Sequence, residues 1–551
     1  MCEQPPRRLD QLTACGEPGR PAVTFRSETL TYRELADRVS RVAHGLHGLG
    51  VRRGDRVAVW AEKRIETVVA LLAVAAAGGV LVPLNPVYRS RQVRHVLADC
   101  APRVVLTTEE RRAGVLGALA PESSVAHVVS FGSAGWHALE GTEPPFPGAP
   151  VPGAGDVIDD DVAAILYTSG STGRPKGVVL SHRNLLAGAA SVAGYLGHTR
   201  DDVVLAVLPL SFDAGFSQLT TALVAGAHVV LVNYLRAREV VRLCARHRVT
   251  GLTCVPPLWL QLAEQDWPAE STAALRYFAN TGGRMPRTTL AALRDIFPAA
   301  DPYLMYGLTE AFRSTYLDPA EAGRRPDSIG RAVPNAEVLV VRPDGTPCAP
   351  GEHGELVHRG ALVALGYWND PERTAQRFRP APGRPPTGRP EIAVWSGDTV
   401  YRDEEGFLYF VGRDDEMIKT SGYRVSPTEI EEAAYATGLA AEAVAFGVED
   451  PRLGSHIVLA ARPADAAGAS AENLSRALAR ELPAYMMPRR IELLPRLPRT
   501  ANGKFDRVGL RETLRRAAPP APPDPSARPA EPAPPAGHPE HTQKAEEELP
   551  C

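Results

Sequence analysis

The chain carries no excess of positive charge: 61 Lys and Arg face 64 Asp and Glu, for a formal net charge of -3. A dedicated nucleic-acid binder needs a basic excess or stripe, so that class is set aside. No apolar h-region follows the start MCEQPPRRLD, so no secretory signal is readable. The most apolar run, Val68 to Val82, is too short to span a bilayer and is broken by Gly78 and Gly79. It reads as a buried helix followed by a core strand, and no membrane association is expected. Cysteine is scarce, seven in all, with no CxxC pair and no nearby His at ligand spacing. Free thiols in a reducing cytoplasm are therefore expected rather than disulfides or a zinc site. No internal repeat of solenoid period is present.

What is present is a chain of 551 residues, more than one hydrophobic core usually supports, so two or more domains are expected. Strand-like runs alternate with helical periodicity from the start. Glu34 to Gly50 has apolar residues near a period of 3.6 and stops at a glycine, with DRVAVWA and GVLVPLNP as strands after it. The style repeats from Asp161 to about Gly330, predicting α/β layers with largely parallel sheets. Between about Arg331 and Val411, short apolar runs separated by Gly, Pro and Asp predict hairpins in a β-rich subdomain. Arg379 to Glu391 reads there as an exposed loop. A compact α+β segment follows, in which Ser426 and Glu429 are placed to form a capping box. From about Ala517 the Pro-rich composition cannot bury a core and reads as disordered. The expected organisation is a large domain over 1–411, a small α+β domain over 412–516 and a tail over 517–551.

Tyr167 to Lys176, YTSGSTGRPK, carries the most chemistry. A strand runs into a loop of Thr168, Ser169, Gly170, Ser171, Thr172 and Gly173 that ends in Lys176. Glycines let backbone N–H groups turn toward phosphate oxygens, hydroxyls add donors, and the lysine adds positive charge. The loop is not the GxxxxGK[ST] of P-loop NTPases, since Gly177 follows Lys176. Four further motifs follow in order: YGLTE (306–310), SGD (396–398), GRDDEMIKTSGYRVSPTEIE (412–431) and RTANGKFDR (499–507).

With these motifs over about residues 20 to 510, the chain resembles the adenylate-forming superfamily of acyl-CoA synthetases, luciferases and nonribosomal-peptide adenylation domains. That resemblance implies ATP and Mg²⁺ as cofactors. It also implies that Tyr306 stacks on adenine beside Gly307, that Thr309 contacts the α-phosphate and that Glu310 helps hold Mg²⁺. Gly282 and Gly283 would face the adenine, while Asp398 and Arg413 would reach the ribose. Lys504 would be the catalytic lysine of adenylation, with Thr168 and Glu310 assisting. Asp415 matches the hinge between the large and small domains. After a rotation of the small domain, Lys419 and Gly422 would line a thiol tunnel.

The segment 208–231 bears on the substrate. Asp213 matches the aspartate that pairs with a substrate ammonium in amino-acid-activating members; a helix-start aspartate capping AGFSQLTTAL is the alternative. Arg313 falls on a side-chain specificity position, where it would bind a second carboxylate; a surface or phosphate-side role is the alternative. Thr281 and Met305 would line the same pocket. The chain is most similar to stand-alone acyl-CoA ligases of exosortase-associated clusters and to stand-alone amino-acid ligases that load carrier proteins in secondary metabolism. No carrier-domain signature follows Lys504, so the expected acceptor is the phosphopantetheine thiol of a separate acyl carrier protein, with coenzyme A as the alternative.

Overall fold

The computed structural model describes residues 5–146, 149–169, 175–383, 390–413, 416–420, 423–450, 454–464, 469–482 and 484–516. The chain folds as mixed α/β with a large N-terminal and a small C-terminal domain. Two sheets organise the large domain. One has seven strands in the spatial order Gly366–Tyr367, Pro175–Ser181, Val162–Ser169, Val80–Leu84, Arg56–Trp60, Val104–Thr107, His127–Ser130. Its last five strands run parallel, and the first three pair antiparallel. Parallel strands of this kind are buried on both faces, hence the unbroken apolar runs in VAVW and VLVPL.

The alternating pattern found early in the chain produces the expected elements. Thr31 caps the Tyr32–Gly48 helix in a reciprocal box with Glu34. The Ile65–Ala76 helix is buried along nearly its whole length and leads into the buried strand Val80–Leu84, as the apolar run Val68 to Val82 implied.

The second sheet has fourteen strands. Its centre is parallel (Val203–Ala206, Gly251–Cys254, Tyr277–Asn280, Asp301–Tyr306). Past Asp301–Tyr306 it turns antiparallel through Thr315–Leu317 and Ser328–Ala332 into the hairpins Ala336–Val341/Gly354–Gly360 and Ile392–Arg402/Leu408–Arg413. The β-rich segment is thus an extension of the α/β sheet. Strand order is set by distant pairing, which local periodicity does not encode.

Three expectations are corrected. Phe378–Pro380 pairs antiparallel with Ile392–Val394, so the start of the supposed loop at Arg379 is strand, held by the Arg379 guanidinium over the Trp395 ring at 3.6 Å. The Pro427–Ala436 helix has no side-chain cap: the Ser426 hydroxyl donates to the Val411 carbonyl instead. Cys100, Cys244, Cys254 and Cys348 are buried free thiols, but Cys15 is disulfide-bonded, a pairing that scattered spacing conceals. The tail from residue 517 lies outside the described residues. Among the described residues no helix is long and apolar enough to cross a membrane.

The small domain is built on a three-stranded sheet, Ala440–Asp450, Gly454–Pro463 and Arg490–Leu493, packed on the Pro427–Ala436 and Ala471–Glu481 helices.

Candidate active site

The strands Val162–Ser169 and Pro175–Ser181 form a hairpin with Thr168 opposite Lys176 and Ser169 opposite Pro175. Its tip, including Gly170, Ser171, Thr172 and Gly173, lies outside the described residues. At its base Gly177 is required by space, because a Cβ there would sit 2.6 Å from Ile165 Cγ2. The Thr168 hydroxyl is buried without a hydrogen-bond partner among the described residues.

Lys176 projects from this hairpin toward the turn that carries YGLTE. Its Nζ donates to Glu310 Oε1 at 2.8 Å and to the Tyr367 hydroxyl at 2.8 Å. The Tyr367 hydroxyl also donates to Glu310 Oε1 at 2.7 Å, and Lys176 Nζ lies 4.3 Å from the Tyr367 ring centre. Glu310 is 7% exposed. Burial alone would raise its carboxyl, but the Lys176 ammonium and the bonds from Lys176 and Tyr367 prevail and hold it down to about 2. A fixed, ionised carboxylate and a fixed cation therefore sit together where the Pro175–Ser181 strand begins.

The Asp301–Tyr306 strand ends at the other half of the motif. The Tyr306 hydroxyl donates to Asp398 Oδ2 at 2.5 Å, and its ring lies 6.1 Å from that of Phe410. Asp398 follows Gly397, whose φ of 66° turns the chain, and is in register with Arg413 across the hairpin. The side chains of Arg413 and Lys419, with all of Asp415 and Gly422, lie outside what the structure describes.

After Tyr306 the chain makes a tight turn. Gly307 is pressed against the returning backbone, since a Cβ there would lie 3.1 Å from Arg313 Cα. A short 3₁₀ turn, Thr309–Ala311, is followed by Phe312 at φ 55°, ψ -53°, with the Arg313 amide donating to the Ala311 carbonyl at 2.5 Å. This γ-turn-like bend is strained for a bulky residue. It is held by packing: the Phe312 ring is fully buried, and a Cβ on Gly188 would lie 2.4 Å from it. The bend sends Arg313 into the interior, where it is 2% exposed. The surface alternative for Arg313 is thereby excluded.

Asp213 is the first residue of the Asp213–Val224 helix and is 7% exposed. Its Oδ1 accepts the Ala214 amide at 2.8 Å, and its Oδ2 accepts the Thr309 hydroxyl at 3.2 Å. Burial raises its carboxyl, against the opposing charges of Arg313 and Lys504. The helix-start role is therefore realised in part, through one oxygen. Arg313 donates through Nη1 to the Thr281 hydroxyl, and Met305 Sδ accepts the Tyr195 hydroxyl at 2.9 Å. Arg313, Met305, Ala214, Ser217, Thr221 and Tyr277 line one narrow cavity. Of the four residues singled out in the sequence for the acid pocket, Met305 and Arg313 line this cavity and Thr281 bonds to Arg313, while Asp213 is engaged by Thr309 outside its lining.

Lys504 arrives from the small domain. Its loop docks on the large domain through Asn85, whose Nδ2 donates to the Ala501 carbonyl at 3.0 Å and to Asn502 Oδ1 at 2.8 Å. Lys504 Nζ lies 5.5 Å from the Phe212 ring centre, and Lys504 Cε lies 3.1 Å from where a Cβ on Gly282 would stand. Gly282, at φ 76°, thus lies under the lysine, and Gly283 beside it packs against Pro256. Sequence reasoning gave no role to Asn85 or Tyr367. Asn85 sits in an Asn-Pro turn and Tyr367 in the GYWND run, and neither position signals a partner hundreds of residues away.

Residues 11–368 match the family model described as AMP-binding enzyme, and residues 429–504 match that of the AMP-binding enzyme C-terminal domain. An L-proline–[L-prolyl-carrier protein] ligase of Streptomyces coelicolor is 37% identical over 93% of this chain and 97% of its own. An indoleacetate–CoA ligase of Aromatoleum aromaticum is 31% identical over 91% of this chain and 96% of its own. Among solved structures, ATP-bound MatB from Rhodopseudomonas palustris superposes with a TM-score of 0.83 at 28% identity, covering 92% of this chain and 99% of that one. With two family models matched in sequence over residues 11–368 and 429–504, the chain belongs to the AMP-binding enzymes, the adenylate-forming superfamily of AMP-dependent synthetases and ligases.

Proposed function

We propose that this ligase activates an amino acid with ATP and loads it onto the phosphopantetheine thiol of a separate carrier protein. The observation that carries the reading is Lys504, lodged between Gly282 and Phe212 while its charge reaches the buried carboxylate of Asp213. In this reading the boundary between the domains falls at 411/412, and Asp415 is the hinge.

Each group then has a task. Tyr306 and the Gly282–Gly283 floor flank the adenine, Gly307 lets the backbone close in, and Asp398 with Arg413 takes the ribose. Thr168, the loop 169–173 and Lys176 hold the diphosphate end, and Thr309 the α-phosphate. The acid's carboxylate oxygen attacks the α-phosphorus as the bond to diphosphate breaks, and Lys504 neutralises the charge shared between them. The thiol sulfur then attacks the acyl carbonyl, its proton leaves to solvent, and the bond to AMP breaks, with Lys419 and Gly422 beside the thiol's path.

Mg²⁺ fits this site in a limited way. No cluster of three acidic, His or Cys side chains occurs among the described residues, and Glu310 is one ionised oxygen donor. Mg²⁺ is commonly held by one or two carboxylates plus phosphate oxygens and water. Bound there, it would supply charge neutralisation on the triphosphate.

The amino-acid reading is supported by the buried carboxylate of Asp213 and by similarity to the prolyl-carrier-protein ligase. Coenzyme A is the second reading of the acceptor, favoured by similarity to the indoleacetate–CoA ligase. ATP–diphosphate exchange over a panel of amino acids and simple acids tests the first half. Mass spectrometry of a phosphopantetheinylated carrier protein and of coenzyme A, each offered with the active acid, tests the second. Exchange driven only by acids without an amino group would overturn the amino-acid assignment.

A further inference from the structure

The helix Ala237–His247 stands apart from the rest of the surface by its charge. Arg236, Arg238, Arg242, Arg246 and Arg248 are exposed, and none of the five makes an ion pair or a side-chain hydrogen bond among the described residues. Glu239, the one acid between them, accepts the Leu235 amide at 3.1 Å. Five arginines against one glutamate, in a chain of formal net charge -3, concentrate positive charge along one edge. Exposed arginines at many other places are matched by acids, Arg183 by Asp160, Arg287 by Asp327 and Arg324 by Glu405 among them. Nothing in the helix itself calls for the pattern. Arg236 and Arg238 stand at the N-terminus, where the helix dipole disfavours a cation, and Arg238, Arg242 and Arg246 repel one another at steps of four residues. The helix is held instead by Ala237, Val240, Val241 and Cys244, which are buried.

This helix borders the seam between the two domains. Ahead of it, Asn233 donates from Nδ2 to the Lys63 carbonyl at 2.7 Å. Lys63 Nζ donates in turn to the Val207 and Leu208 carbonyls at 2.7 and 2.9 Å, just before the Phe212 ring that faces Lys504. Tyr234 is close enough to Arg499, in the loop that carries Lys504, for its hydroxyl to feel that charge. Alongside, the helix packs on Pro256–Ala263, the helix on which the small domain rests: Leu260 is buried in the small domain's core, and Arg462 donates to Glu264 at 2.8 Å. Leu235, at the head of the basic stretch, is 91% exposed. An apolar anchor with a charged rim is the composition of a protein-binding face. The apolar stripe of the helix is packed inside the core, so it has nothing to insert into a lipid surface.

We infer that the carrier protein docks on this helix, with an acidic face of the carrier along Arg238, Arg242 and Arg246 and an apolar side chain over Leu235. The inference rests on the carrier-protein reading of the acceptor and deepens it. A phosphopantetheine arm joins its carrier through a phosphodiester, so the thiol donor brings negative charge to the rim of the site it enters. A thiol that reaches the acyl carbonyl beside Lys504 enters through the seam, and the basic helix lies along that seam. Residues 236–248 extend over about 18 Å at about 1.5 Å per residue, a span that matches an element of another protein and exceeds a single diphosphate. Exposed charges of this kind act on encounter: their attraction raises the association rate by about 10–10³-fold and weakens as salt rises. None of the five arginines is among the residues assigned to nucleotide or acid, so adenylation should proceed without them.

The test compares the wild-type full chain with a variant carrying Arg238→Glu, Arg242→Glu and Arg246→Glu together. The acceptors are the phosphopantetheinylated carrier protein served by the Streptomyces coelicolor relative, coenzyme A, and pantetheine as a thiol without a carrier, each offered with the acid active in exchange. Charge reversal should lower kcat/KM for the carrier about 100-fold at about 0.03 M salt and less than about 10-fold at about 0.3 M, with ATP–diphosphate exchange and pantetheine acylation unchanged. Wild-type loading should itself fall with salt while pantetheine acylation does not. Should the variant lose exchange as well, its fold is disturbed and that salt dependence of the wild type decides alone. Carrier loading unmoved by charge reversal, or by salt, would overturn the inference while keeping the carrier-protein reading. An equal loss with coenzyme A as with the carrier would also overturn it, the face then holding nucleotide phosphates. Wild type that acylates coenzyme A and leaves the carrier unloaded would overturn the carrier-protein reading, and the inference with it.

Discussion

Replacing Glu310 by Gln tests the ion pair at the centre of the phosphate end. In the folded protein the Glu310 carboxyl is held at about 2, against 4.5 for an ordinary glutamate. That difference, at 1.36 kcal/mol for each pH unit, makes the charged carboxylate worth about 3 kcal/mol to the folded state at neutral pH. The folded value is depressed, so the contribution is complete above pH 4.5 and is lost as pH falls toward 2. It should stand near 3 kcal/mol at pH 7 and near 2 kcal/mol at pH 3.5. Glu310→Gln keeps the shape and a hydrogen-bond acceptor but leaves Lys176 without its carboxylate, and unpairing a buried ion costs about 3–5 kcal/mol. Urea unfolding of the large domain, followed by tryptophan fluorescence, should therefore show a loss of that order at pH 7, with a gap to wild type that narrows by about 1 kcal/mol at pH 3.5. Equal midpoints at pH 7, or a gap that widens on acidification, would refute the reasoning.

Lys504→Ala should cut amino-acid-dependent ATP–diphosphate exchange by about 10²–10³-fold, as removal of a transition-state charge partner does, while thioester formation from a supplied acyl-adenylate survives; loss of both steps together would remove the assigned role. Asn85→Ala removes two hydrogen bonds to the loop before Lys504, together about 2 kcal/mol, and one from the Val87 amide, so it should lower exchange about 30-fold and large-domain stability by about 1 kcal/mol in urea unfolding. Gly188→Ala places a Cβ 2.4 Å from the Phe312 ring and should destabilise by about 1–3 kcal/mol, measured in urea, with a loss of acid selectivity as the bend at Phe312 shifts.

Much of the frame was legible because it rests on local rules. The periodic stretch Glu34 to Gly50 forms most of the Tyr32–Gly48 helix, and the apolar runs around Val57 and Val82 are strands buried on both faces. The motif residues Lys176, Tyr306, Glu310, Asp398 and Lys504 are singled out by type and order, and the fold pairs Lys176 with Glu310 and Tyr306 with Asp398 and sets Lys504 beside Gly282. Contacts between distant segments escaped. Nothing near Asn85 announces residues 501–502, and nothing near Tyr367 announces Lys176. Ser426 shows the converse failure. Its sequence context satisfies a capping rule, yet its hydroxyl finds the Val411 carbonyl, so a tertiary partner overrides a local preference. The burial of Arg313 depended on a left-handed Phe312, a conformation that no propensity of phenylalanine foretells.

That bend at Phe312 has a consequence for how this enzyme can change. Glu310, which is paired with Lys176, and Arg313, which donates to Thr281, are carried by the two arms of one taut bend of four residues. An exchange at 313 that alters the bend is expected to shift the carboxylate at 310 as well, because the two ends of the turn are mechanically tied. The opposite wall of the cavity is formed by Ser217 and Thr221 on the Asp213–Val224 helix, which is itself tied to the turn by the Thr309 hydroxyl on Asp213, so a change there also reaches the bend.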